Sequence, residues 1–208
     1  MSTEKQGEIF FPKGCPSCGG KIVFKRADEL FKNPDKCGFV YCCENYPTNC
    51  TVFVSAHKET KGEGIRDYPI GILADDKLRI LHDVCRNKFN QLWLDGNNIK
   101  RVYKDFVVGF TDENGESCYG VVDKVTSEGY ILYSPCCKEP FVVPLNMVNT
   151  ITARTKAYFW LSIKMGIPFN DCKIPMFDKD ATEKAISIIE EAILNLKSNN
   201  DGTKDFQG

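Results

Sequence analysis

Hydrophobic and polar positions change their rhythm several times along this chain, and each change marks an expected element. Lys21-Ile-Val-Phe-Lys-Arg26, Gly38-Phe-Val-Tyr41 and Thr51-Val-Phe-Val-Ser55 are short β-branched and aromatic runs, the texture of strands. A further short strand is expected at Ile9-Phe10-Phe11. Asn33-Pro-Asp-Lys36 reads as a turn, and the charged, glycine-containing stretch at 58–67 as a linker or exposed loop. From Asp75 or Asp76, either of which suits an N-cap, the period lengthens. Leu78, Leu81, Cys85, Phe89 and Leu92 then recur at helical spacing, and Gly96-Asn-Asn98 is expected to stop that helix.

Between 99 and 148 short β-like runs return, separated by turn residues such as Asp112-Glu-Asn-Gly115. They predict a small barrel or curled sheet, SH3-like in size. A helix is expected from 149 or 150 to Met165, with Gly166 as its C-cap. The last helix opens on Asp180-Ala-Thr-Glu183, a capping-box pattern, and Ala185, Ile188, Ile189, Ala192 and Leu196 form its apolar stripe. The polar stretch at 199–208 is expected to be a disordered tail. The predicted class is α+β. A small β unit at 1–61, whose close cysteines (Cys15 and Cys18, then Cys42 or Cys43 with Cys50) suit a zinc ribbon, leads into a helical unit of about three main helices, 62–98 and 149–198, interrupted by a small inserted β-barrel-like domain at 99–148.

Composition narrows the setting. The 208 residues are 42% hydrophobic and 26% charged, as in soluble globular proteins, and no apolar run approaches the roughly 20 residues of a membrane span. The polar start MSTEKQGEIF does not read as a signal peptide, so the expected compartment is the cytoplasm, with no membrane partner. The formal net charge of -1 argues against a strongly basic, non-specific nucleic-acid binder. Contact with nucleic acid would need a local patch.

The eleven cysteines carry the chemistry. Cys15-Pro-Ser-Cys18-Gly-Gly20 is a half-site on a tight turn, and a second lies in Cys42-Cys43-Glu-Asn-Tyr-Pro-Thr-Asn-Cys50. Four thiolates from two such turns suit one tetrahedral Zn²⁺. Cys42 and Cys43 point to opposite faces of an extended chain, so one of them is the ligand, and the spacing does not choose. His57 is an alternative fourth ligand, though a bystander reading is simpler. Cys118, Cys136 and Cys137 make a poor second set, and Cys85 is expected in the core with His82 at its boundary. Asp75-Asp76 and Glu190-Glu191 read as ordinary helix-end or surface carboxylates. Four thiolates saturate zinc and leave no open position, which argues against an enzyme.

The CENYPTNC segment, with CPSCGG and the strand after it, resembles the zinc ribbons in the C-terminal region of type IA topoisomerases. That resemblance favours Cys43 over Cys42, with one extra residue before Cys50 as the departure. It implies contact with single-stranded DNA or RNA. Lys21, Lys25 and Arg26 would meet phosphate, and aromatics including Tyr41 and Tyr46 would stack on bases. A second resemblance covers several short blocks. These are the ribbon, Pro69-Ile-Gly-Ile-Leu-Ala-Asp75, Leu78-Arg79, Phe89-Asn-Gln-Leu-Trp93, Arg154-Thr-Lys-Ala-Tyr-Phe-Trp-Leu161 and Met176-Phe-Asp178. Together they are similar to a family of zinc-finger-containing proteins found largely in phages and mobile elements.

Where that family has a histidine, this chain has Arg86; where it has an aspartate, Asn90; and where it has His-Ile-Gly, Lys173-Ile-Pro175. The segment at 99–148 has no counterpart in its compact pattern. The resemblance transfers no established activity; the expectation is an accessory protein, acting in the bacterial host cytoplasm if phage-encoded. Two expectations follow: a zinc-stabilised, non-enzymatic nucleic-acid binder, or a module that binds a host or phage protein through the inserted β domain.

Overall fold

The computed structural model describes all residues except 1–9, 12, 34, 36–37, 59–66, 113–114, 116, 134–138 and 202–208. The chain forms two compact units, Met1–Asp83 with Ile174–Thr182, and Val84–Lys173 with Glu183–Gly208. The chain passes between them three times; the passages after Asp83 and Thr182 fall inside long helices and the one after Lys173 in a loop, not at the boundaries near 61 and 98 that the sequence suggested.

The first unit holds an antiparallel sheet in the order β1 (Ile22–Arg26), β2 (Phe39–Cys43), β3 (Phe53–Lys58), β4 (Asp67–Pro69). β4 lies beyond residue 61, so the sheet outruns the ribbon boundary drawn from composition. A five-residue helix, α1 (Ala27–Phe31), follows β1 directly. Ile22 pairs with Cys43, Phe24 with Tyr41, and Tyr41 with Val54. The two-residue strand period puts these side chains on one face, and Val23, Val40 and Cys42 on the other. Ile22, Phe24, Tyr41, Val52, Val54 and Leu73 form the buried cluster around the cysteines. Phe10 and Phe11 are not in a strand; each ring sits edge-on to Tyr41, with centroids 5.5 Å apart.

α2 (Asp76–Trp93) is capped by Asp75, whose Oδ1 accepts the Leu78 amide at 2.8 Å. Arg79 lies 3.8 Å over the Phe53 ring and donates to the Thr51 carbonyl at 2.9 Å, tying the first turns of α2 to β3. The Ile72 amide donates to the Pro175 carbonyl at 2.9 Å. A Cβ on Gly71 would lie 2.3 Å from that oxygen, so only glycine allows the approach. His82 is buried rather than at a boundary, because its Nε2 stands 2.8 Å from the Phe177 carbonyl, which satisfies a polar ring in an apolar setting.

In the second unit, Gly96-Asn-Asn98 starts a helix, α3 (Gly96–Val102), where a stop was expected. α2 ends at Trp93, and Asp95 Oδ1 then accepts the Asn97 amide at 3.0 Å as a fresh N-cap. A five-stranded sheet follows, from β5 (Val107–Thr111), β6 (Ser117–Val125), β7 (Tyr130–Tyr133), β8 (Phe141–Val143) and β9 (Val148–Asn149), in the order β8-β7-β6-β5-β9. The β6–β7 register slips between Val122 and Lys124, a bulge that sharpens the twist. The sheet curls as a half-barrel over Val108, Leu132 and Val143; β8 and β9 stand at its two edges, so of the small barrel or curled sheet expected, it is the curled sheet.

α4 (Ala153–Met165) begins later than expected because Thr152 Oγ1 caps the Thr155 amide, and it ends at Gly166 with φ 71, as expected. α5 (Lys179–Asp201) is capped by Asp178, whose Oδ1 accepts the Ala181 amide at 2.8 Å, rather than by Asp180. It runs through 199–201, into the stretch expected as tail; 202–208 lie outside the described residues. Phe89 meets Tyr158 at 4.5 Å, the Trp93 indole donates to Asn90, and Arg154 lies 5.6 Å over Trp93. The sequence blocks around Phe89 and Arg154 are therefore partners in packing. Asn90 is held by that indole, and nothing around it gathers a second site among the described residues. Among the described residues, no helix is long and apolar enough to cross a membrane.

Candidate metal centre

Two turns carry the four sulfurs. In the first, the Cys15 amide donates to the Gly20 carbonyl at 2.8 Å and the Gly19 amide to the Cys15 carbonyl at 2.9 Å. Gly14 and Gly19 supply the left-handed corners, with φ 72 and 73. In the second, the Cys43 amide is anchored on the Val52 carbonyl, and the Tyr46 amide turns back onto the Cys43 carbonyl, both at 3.0 Å. The chain then returns Cys50 to the sheet.

The Sγ atoms of Cys15, Cys18, Cys43 and Cys50 all lie within 4.8 Å of one another. Cys15 and Cys50 are 3.5 Å apart, and Cys18 and Cys43 3.4 Å. A tetrahedral zinc with Zn–S bonds of about 2.3 Å needs sulfurs about 3.8 Å apart, so the set fits one structural zinc with little adjustment. Cys15, Cys43 and Cys50 are buried, while Cys18 is exposed. Burial pushes the Cys15 and Cys43 thiols up. Cys18 is held down at about 6 by the Gly20 main chain, the Asn45 amide 3.6 Å away and the Cys43 thiol. One anion-ready sulfur at the surface thus fronts three enclosed ones, a donor set suited to a soft cation.

Cys42, the alternative to Cys43, lies outside this cluster. It is buried on the opposite sheet face, where desolvation pushes its thiol up to about 11. The His57 side chain, Cys37, Cys136 and Cys137 lie outside the described residues, and Cys118 sits in β6. Cys85 and Cys172 are buried, their thiols raised by desolvation to about 11 and about 12, which makes them inert core residues.

The residues expected to contact nucleic acid separate. Tyr41 is 0% exposed and packs among Phe10, Phe11 and Phe24, so it offers no face to a base. Lys21 is exposed and does not line the groove that the other three share. Lys25, Arg26 and Tyr46 share one open groove of about 700 Å³ with Lys32, Phe39 and Pro47. Arg26 is committed to Asp28, at 3.0 Å from Nε and 2.7 Å from Nη2. Tyr46 is half-buried, edge-on to Phe31 and Phe53. Lys32 was missed because it caps α1, a helix too short to show a period, in a left-handed conformation.

Gly20 is the tightest point beside the sulfurs. A Cβ there would lie 2.8 Å from Asn45 Nδ2 and 3.2 Å from both Cys43 Sγ and Glu44 Oε1. Asn45 supports Cys18, and Glu44 accepts the Lys21 amide at 2.8 Å. Gly20→Ala is therefore expected to weaken zinc binding about 10–100-fold, the usual cost of disturbing groups behind metal ligands. Competition against a chromogenic chelator measures this, and an unchanged affinity would contradict the packing described.

No curated protein and no solved structure matches the chain. A family model described as a zinc-finger-containing domain matches residues 11–113. The match contains all four clustered cysteines and reaches β5, so it enters the segment expected to be an insertion, while the blocks at 154–161 and 176–178 lie outside it. The metal-binding portion of this chain is thus similar to that zinc-finger-containing family over residues 11–113.

Proposed function

We propose that the ribbon is a non-enzymatic, zinc-stabilised binder of single-stranded nucleic acid, in an accessory role of the phage or mobile-element kind that the sequence resemblance implies. The observation that carries this reading is the open groove lined by Lys25, Lys32, Glu29 and the half-buried Phe39 and Tyr46. Cations at the rim suit phosphates, and partly exposed aromatic faces suit unstacked bases. The sulfurs support this indirectly, by fixing the turn that carries Tyr46. A zinc with four thiolates offers no open position to substrate, so binding is favoured over catalysis.

Fluorescence anisotropy with a labelled oligothymidylate tests the reading. Affinity of the zinc-loaded chain should fall steeply with salt, and replacing Lys25 and Lys32 together by Gln should flatten the log–log slope by about 1.4, at roughly 0.7 per phosphate contact. Tyr46→Ala should cost about 1–3 kcal/mol of binding. Absence of binding at low salt by zinc-loaded protein would overturn the proposal.

A further inference from the structure

The second unit carries a groove of different chemistry. Phe106, Leu145, Val148 and Ile151 line it, Lys100 and Lys156 stand at its edge, and it encloses about 440 Å³. That volume lies within the range of ligand sites and accepts about two or three large side chains. Phe106 and Leu145 are 56% and 50% exposed, an unusual allotment of apolar surface to water. Lys100 comes from the last turn of α3 and Lys156 from the first turn of α4. Lys156 is fixed in place: its Nζ donates to the Asp105 carbonyl at 2.7 Å and lies 5.5 Å from the Tyr103 ring. Burial holds its pKa below the ordinary lysine value. The Asp105 carboxylate offsets part of that, and the Lys100 charge adds to it. Two ammonium groups that repel each other beside an apolar trough are complementary to an anion attached to an apolar body.

We infer that this groove docks an acidic, apolar segment of a partner protein, with bulky side chains in the trough and a carboxylate between Lys100 and Lys156. The lining favours protein over nucleic acid. It is mainly apolar, it carries two lysines rather than a track of cations, and Phe106 and Tyr130 are tilted by 58° instead of forming a stacking platform. Short peptides bound this way use a few apolar anchors spaced to enter one groove. The inference concerns a different unit from the ribbon groove and stands or falls separately from the nucleic-acid reading.

The test is selection of a displayed library of random peptides of about twelve residues on the full-length, zinc-loaded chain. Recovered peptides should combine two bulky apolar residues with at least one Asp or Glu. Their affinity should fall about tenfold with Lys100→Glu and with Leu145→Asp. Both positions are exposed, so circular dichroism and tryptophan fluorescence should stay as in the wild type. Four results would overturn the inference: no enrichment, binders without an acidic residue, binders indifferent to both substitutions, or oligonucleotide binding that both substitutions weaken.

Discussion

Cys50→Ser is expected to abolish ordered folding of the ribbon while leaving the second unit folded. Structural zinc contributes about 10–16 kcal/mol in zinc-finger peptides, and that binding energy is folding energy. One ligand in four is worth roughly 3–4 kcal/mol on that scale, a loss of several hundredfold in affinity. Cys50 is 6% exposed, so the serine would also leave a hydroxyl in an enclosed sulfur site. The ribbon has little else to hold it. Its cluster is small, and two of its turns exist to present sulfurs. Amide exchange should therefore accelerate through Ile22–Arg26 and Phe39–Cys43 and stay slow in Ala153–Met165. Both tryptophans, Trp93 and Trp160, belong to the second unit, and their fluorescence should be unchanged. Loss of the tryptophan signal along with the ribbon would show that the two units do not fold separately.

Phe89→Ala should have the largest effect in the second unit. Phe89 is 1% exposed, and its ring lies 4.5 Å from that of Tyr158. Truncating a buried phenylalanine costs about 3–5 kcal/mol, because the lost transfer energy is joined by the cavity left behind. Domains of this size are commonly stable by only about 5–15 kcal/mol, so the variant should sit near the edge of folding. Urea unfolding followed by tryptophan fluorescence should show a midpoint lowered by about 2 M, at a denaturant slope of about 2 kcal/mol per molar. Zinc content per folded chain should stay the same, since no sulfur ligand lies in this core. A midpoint shift below about 0.5 M would mean that the Phe89 pocket collapses or is not the core described.

The metal site was the most legible feature in the sequence, because zinc imposes chemistry and spacing together. Two close cysteine groups on turns can converge only if the intervening chain folds back on itself. The choice between Cys42 and Cys43 depended on strand register, which spacing alone leaves open, and pairing of Cys43 with Ile22 and Cys42 with Val23 puts them on opposite faces. The long helices were legible for a similar reason, as their stripes repeat over several turns. Two short elements were not. α1 is too short for a period to appear, and β4 has only three residues.

Capping was harder to read than periodicity. At Asp95, a residue beside glycine and two asparagines starts a helix, because its carboxylate reaches a free amide two residues on. At Asp178 the cap lies two residues before the pattern that suggested it. Tyr41 misled for a different reason. An aromatic near lysines in sequence suggests a base platform, but the alternation of β2 turns this ring inward onto the sulfur-side cluster. The residues that gather around Tyr46, among them Lys32, are brought there by α1.

Metal analysis of the purified full-length chain tests the central claim most directly. Elemental mass spectrometry should find one zinc per chain, lost on chelation together with protection of the ribbon amides and restored when zinc is returned. A wild-type chain that is free of metal and still fully protected across Ile22–Arg26 and Phe39–Cys43 would contradict it.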